Sequence, residues 1–171
     1  MGEKLEKHLI GEFIDAVIQD QPKAQRLLKD YPTLLDSRWI HNETVLHFLA
    51  VENYLDGVRF LEKLGANVDS TNESGDTALI DVASLENDKV AEVLLEHGAN
   101  PNANSETNDN PLHCAVAGGH ARLVGLLLDR GAKHSYETDI GETVSDALPQ
   151  KGASRKAVLE EFAKRNIELA T

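Results

Sequence analysis

Asn110-Pro111-Leu112-His113-Cys114-Ala115-Val116-Ala117-Gly118-Gly119-His120-Ala121-Arg122-Leu123-Val124-Gly125-Leu126-Leu127-Leu128-Asp129-Arg130-Gly131-Ala132 decides how this chain folds. Asn110 is a helix-capping residue type, able to accept a hydrogen bond from the free N–H groups of a first turn. Pro111 follows at the first helical position, where its missing N–H costs nothing. After the Gly118-Gly119 turn, Leu123, Val124, Leu127 and Leu128 fall on one face of a second helix. Gly131 stands where a helix ends in the left-handed conformation that glycine adopts freely. Helix, turn, helix and stop form one unit.

That unit recurs. Gly65-Ala66, Gly98-Ala99 and Gly131-Ala132 are each 33 residues apart. Thr44-Val45-Leu46-His47, Thr77-Ala78-Leu79-Ile80 and Asn110-Pro111-Leu112-His113 keep the same period of 33, and Thr143 continues it. Two independent landmarks in one register mark a repeat architecture. Leu46, Leu49 and Ala50, then Leu79, Val82 and Ala83, give each first helix an apolar face. Val58 and Leu61, then Val90, Val93, Leu94 and Leu95, do so for the second helices. Polar stretches such as Asn67–Gly75 read as extended turns between units.

Gly75-Asp76-Thr77-Ala78-Leu79, Asn110–Ala115, Gly119-His120 and Gly98-Ala99-Asn100-Pro101-Asn102 resemble the ankyrin-repeat family, over nearly the whole chain. The resemblance implies an all-α solenoid of about five helix-turn-helix repeats with protruding hairpin-like loops, the first and last acting as caps. One domain over 1–171 is expected, with repeats near 3–36, 37–69, 70–102, 103–135 and 136–169. In the N-terminal repeat, Leu9, Ile10, Phe13, Ile14, Val17 and Ile18 precede a second helix opening at Pro22 and stopped by Tyr31-Pro32. In the last, Thr143-Val144-Ser145-Asp146 lacks the Leu-His pair, Pro149 should stop the first helix early, and Ser154 should cap the final one. Gly57, inside a helix, carries a cost of about 1 kcal/mol relative to alanine.

Composition agrees with such a fold. Apolar residues are 41% and aromatics only 5%, so the core must be aliphatic. The net charge of −12 disfavours nucleic acid, whose phosphates it would repel. No apolar run reaches the length of a membrane span. Cys114 is the single cysteine, and Met1–Lys7 carries no signal-peptide pattern, so a reduced, cytoplasmic setting is expected. Asn42-Glu43-Thr44 and Asn72-Glu73-Ser74 then match the glycosylation pattern by chance. There is no Gly-x-Ser-x-Gly, phosphate-binding glycine loop or His-Glu-x-x-His. His47 and His113 occupy the histidine position for which the resemblance implies a structural role, and His120 reads likewise. Cys114 reads as an inert thiol, and Glu160-Glu161 as a solvent-facing pair. Neither enzyme chemistry, metal nor cofactor is expected.

The resemblance implies recognition through loop tips and the outer side of the first helices. Register places Trp39, Ile40, His41 and Glu43 on the first loop and Asn72, Glu73, Ser74 and Asp76 on the second. Ser105, Glu106, Thr107 and Asp109 fall on the third, and Thr138, Asp139, Ile140 and Glu142 on the fourth. Val51, Glu52, Ser84, Leu85, Ala117 and Gly118 project from the helices. No Lys or Arg stands among these positions, so a groove receiving a basic protein segment is expected, with Trp39, Ile40, Val51 and Leu85 as apolar anchors. A surface kept acidic for solubility is the competing reading, and for Trp39 packing on the N-terminal repeat is preferred. The chain is expected to be a monomer. An inhibitor or immunity-type protein blocking a basic enzyme, and a scaffold self-associating through its convex helices, stay open.

Overall fold

The computed structural model describes residues 2–106, 109–137 and 141–169. In chain order the helices are α1 (Gly2–Gln19), α2 (Gln21–Asp30), α3 (Val45–Val51), α4 (Leu55–Lys63), α5 (Ala78–Ser84), α6 (Asp88–Glu96), α7 (Pro111–Gly118), α8 (Ala121–Asp129) and α9 (Ala153–Lys164). Short 3-10 turns over Pro32–Asp36 and Ile40–Asn42 join α2 to α3. The caps form where the register placed them. Thr44, Thr77 and Asn110 accept from the backbone N–H groups of His47 at 3.3 Å, Ile80 at 3.4 Å and His113 at 2.8 Å. Gly65, Gly98 and Gly131 end the second helices with φ of 87°, 91° and 88°.

First helices stack on first helices, α3 on α5 and α5 on α7, while α4, α6 and α8 form the second layer. Leu46, Leu49, Leu79, Leu94, Leu112, Leu123 and Leu127 are sealed between the layers. Each such burial contributes roughly 2–3 kcal/mol, so stability is spread along the array, repeat by repeat. Gly57 has a packing reason. A Cβ there would lie 3.0 Å from Leu49 Cδ1 and 3.3 Å from Val17 Cγ1, so glycine lets α4 close on α3 and α1. The helix-propensity cost is the condition of that approach.

His47 ties repeats together. It is wholly buried, its Nε2–H donates to the Asp76 carbonyl of the next repeat at 3.2 Å, and its Nδ1 accepts from the Thr44 hydroxyl at 2.8 Å. The loops pair too: Glu73 N–H donates to His41 O at 3.0 Å, and Glu106 N–H to Ser74 O at 3.1 Å. At Gly75 (φ 78°) a Cβ would sit 2.8 Å from Glu106 N, so this pairing requires glycine.

The ends depart from expectation in detail. α2 opens at Gln21, not Pro22, because Asp20 accepts from Lys23 N–H at 3.0 Å. The fifth repeat has turns where a first helix was expected. Thr143 donates its hydroxyl to Asp146 at 2.7 Å, and Val144 and Leu148 still fill the core. α9 starts at Ala153 after Gly152 (φ 100°), so Ser154 is not its cap. Nor does Glu161 face solvent. It accepts from Arg165 at 2.8 Å, whose guanidinium also grips Asp129 with two 2.7 Å bonds and the Gly125 carbonyl at 3.0 Å. A bidentate arginine clamp fastens the last helix to α8; Glu160 is exposed as anticipated.

Candidate interaction face

The first, second and fourth loops close at their bases through isolated antiparallel bridges, Arg38 with Thr44, Thr71 with Thr77 and Glu137 with Thr143, and in the third Ser105 N–H donates to Asp109 O at 2.9 Å. Asn72 shapes the second tip, its Oδ1 accepting from Ser74 N–H at 2.8 Å and Asp76 N–H at 3.0 Å. On the first tip Ile40 is 58% exposed, and His41 adopts φ 54°. Its Nδ1 meets Glu73 Oε1 of the next loop at 2.7 Å. Leu85 is 50% exposed at the end of α5, Glu52 is exposed and Val51 half-buried at the end of α3. Glu106 is exposed, and Ser74, Asp76 and Asp109 are half-buried. Asp109 lies 3.7 Å from His113 Nδ1. Exposed Glu142 follows the fourth tip; Asp139, with Thr107, Thr138 and Ile140, lies outside the described residues.

Trp39 is different. It is half-buried against the core, 3.6 Å from where a Gly11 Cβ would stand, so it packs on α1. A cation also enters the row. Arg38 donates to the carbonyls of Asn42 at 3.0 Å and Thr71 at 2.6 Å, clamping the bases of the first two loops.

Sequence reasoning missed Asp81. Asp81 is half-buried on α5, with an Oδ2 that is sealed from solvent and meets no donor. Burial first, then the neighbouring charges of Asp76 and Glu43, push its carboxyl up to about 7. Burial also raises Glu43, with His41 opposing and Glu73 adding. Burial raises Asp76 too, against hydrogen bonds from Ser105 and Asn72, and Asp109 adds to it. The available signal was register: residue 81 is equivalent to Phe48 and Cys114, a carboxylate where its counterparts are apolar. Asn53-Tyr54 replaces the Gly-His turn, with Tyr54, 43% exposed before α4, at the position of His120.

Burial pushes the Cys114 thiol up to about 11, leaving little thiolate at neutral pH. Among the described residues, no group of three or more His, Cys, Asp or Glu could hold a metal, and no helix is long and apolar enough to cross a membrane.

Comparison with known proteins agrees with this geometry. The family described as Ankyrin repeats (3 copies) matches over residues 13–105 and 46–139, well over half of the chain. The chain is 32% identical over 124 residues to the inactive serine/threonine-protein kinase TEX14 of Bos taurus, covering 72% of this chain and 8% of that protein. It is 32% identical over 126 residues to human BCL-6 corepressor-like protein 1, covering 73% of this chain and 7% of that one. With ankyrin repeat and SOCS box protein 16 of Mus musculus, identity is 38% over 115 residues, 63% of this chain and 25% of that protein. The chain thus spans a quarter or less of each of these relatives. Ankyrin repeats are in general non-enzymatic modules for protein–protein interaction. This chain belongs to the ankyrin-repeat family.

Proposed function

We propose that the loop tips and first helices take a basic segment of a partner protein. Glu43, Glu73, Asp76, Asp81, Glu106 and Asp109 supply the charge, and Ile40, Val51 and Leu85 the apolar contact. Asp81 carries this reading: its carboxyl is pushed towards the neutral form by burial and by two like charges, with an oxygen that meets no donor. An incoming ammonium or guanidinium relieves that strain, because an opposite charge nearby favours the ionised form. Electrostatics would speed encounter and fix the orientation of the bound segment. The same charge argues against nucleic acid or anionic membrane as the partner. The chain acts here as a cytoplasmic monomer and has no reaction of its own.

A lysine-rich peptide and its glutamine-substituted counterpart, titrated at low and high salt, test the proposal. The lysine peptide should bind more tightly, lose affinity with salt, and lose it again on Glu73→Lys/Glu106→Lys. Both positions are exposed, so the fold survives their reversal. Equal affinity for the two peptides, or an unaffected double variant, refutes it.

A further inference from the structure

Glu62 is a carboxylate sealed from solvent between two helices. It lies on α4 with its side chain at 0% exposure, facing α6, where it meets a histidine of the next repeat. His97, capping α6 and one-third exposed, places Nδ1 2.9 Å from Glu62 Oε2 and 3.0 Å from the Val93 carbonyl. That carbonyl already accepts the His97 backbone N–H at 3.1 Å. The contest for Nδ1 has a physical consequence. A carbonyl only accepts, so when Nδ1–H turns to Val93, both Glu62 oxygens are left without a donor, as the geometry has them. When one more proton is present, it bridges Glu62 and Nδ1, whether written as carboxylic acid with imidazole or carboxylate with imidazolium.

We propose that the Glu62–His97 contact is a proton-operated latch between the second and third repeats: protonated, it closes the α4–α6 seam with a hydrogen bond, and deprotonated, it leaves a buried carboxylate that loosens it. This stands apart from the loop-face reading and needs no partner. Burial first sets the proton affinity of Glu62, lifting its carboxyl to about 7, while His97 and Arg59 draw it down and Glu96 adds to the rise. On the elements packed against the seam, Arg130 caps α8 at the register position of His97 one repeat on. α3 offers α4 only the wholly buried His47, and α1 meets α4 through Val17 at Gly57. Arg122 on α8 is engaged with Asp88 and Glu92 at 3.7 Å, away from the His97 end of α6.

The sign follows from linkage. The folded state holds the Glu62 proton more tightly than the unfolded chain, so its contribution is whole below the ordinary carboxylate range and gone once pH passes about 7. Amide exchange, corrected for the intrinsic pH dependence of exchange, reads the seam directly. Protection over 55–63 and 88–96 should fall about tenfold between pH 6 and pH 8 in the wild type. Glu62→Gln should make the profile flat, while 121–129 serves as reference. A carbon-detected titration of the Glu62 carboxyl in the wild-type chain gives a second measurement that needs no variant, with an expected midpoint near 7. A midpoint in the ordinary carboxylate range overturns the latch, as does a flat wild-type profile or a pH dependence that survives Glu62→Gln.

Discussion

Asp81 and Glu62 are both lifted to about 7, yet they sit on opposite layers of the solenoid and differ in company. After burial, Asp81 is raised further by two carboxylates, Asp76 and Glu43, and no cation moderates it. After burial, Glu62 is moderated by His97 and Arg59. The difference teaches which side of an ankyrin stack can answer to something outside it. A carboxylate held up by like charge is relieved by an incoming cation. One whose partner comes from the next repeat responds instead to the seam between them.

Removing the internal partner should have the largest effect. His97→Leu removes the group that the shared proton bridges to Glu62, so the loss belongs to the closed latch, and with His97 one-third exposed about 2 kcal/mol is expected at pH 5. At pH 8, where the proton has left and Glu62 has no donor, the loss should shrink towards zero. Urea unfolding at both pH values measures this. If the cost is the same at both, Glu62 is not the group responsible.

His47 sharpens the contrast because its sign is opposite. Burial, opposed by its hydrogen bond to the Asp76 backbone, lowers its proton affinity. The unfolded chain therefore takes up a proton that the folded chain refuses, and stability drains away as pH falls below the ordinary histidine range near 6.5. His47→Leu should cost about 1–2 kcal/mol at pH 7 through the lost bonds to Thr44 and Asp76, and less at pH 5. A cost that grows on acidification contradicts the assignment. Asp81→Asn follows with a smaller effect. It should stabilise by about 1 kcal/mol at pH 8 and by nothing at pH 4, while weakening the lysine-rich peptide. Stabilisation without weaker binding would separate Asp81 from the loop face.

The repeat was legible because period and chemistry coincide: capping Thr44, Thr77 and Asn110, and stopping Gly65, Gly98 and Gly131, each act on their own turn of helix. Local effects of this kind survive in sequence. The ends were less legible, since Asp20 capping α2 and the turn after Thr143 depend on single residues outside the register. Acidic positions on the loops could be read by counting from the caps, although the register also put Trp39 there, and its ring turns to α1. Asp81 escaped because its strain is a property of three residues from successive loops and a helix, Glu43, Asp76 and Asp81. Glu62 and His97 escaped for the same reason: 35 positions apart in the chain, they meet only once α6 lies on α4. Register predicts which layer a residue joins, not which residue it will face across a seam.

The smallest predicted effect on stability is the one that tests the loop face most cleanly. Glu73 is exposed and touches His41 at 2.7 Å in a pair open to solvent on both sides. Exposed pairs of this kind contribute a few tenths of a kcal/mol, so Glu73→Gln should move the unfolding midpoint by about 0.3 kcal/mol or less. The backbone bond from Glu73 N–H to His41 O, which fastens the tips together, is untouched by the change. Loop geometry is therefore preserved while one charge leaves the tip. If the face works by charge, affinity for a lysine-rich peptide should drop several-fold at low salt, and the drop should vanish at high salt as screening removes the contribution. A loss that persists at high salt would mean that Glu73 acts through shape. No loss at any salt would place the binding charge deeper, on Asp76 and Asp81, where the like-charge strain is concentrated.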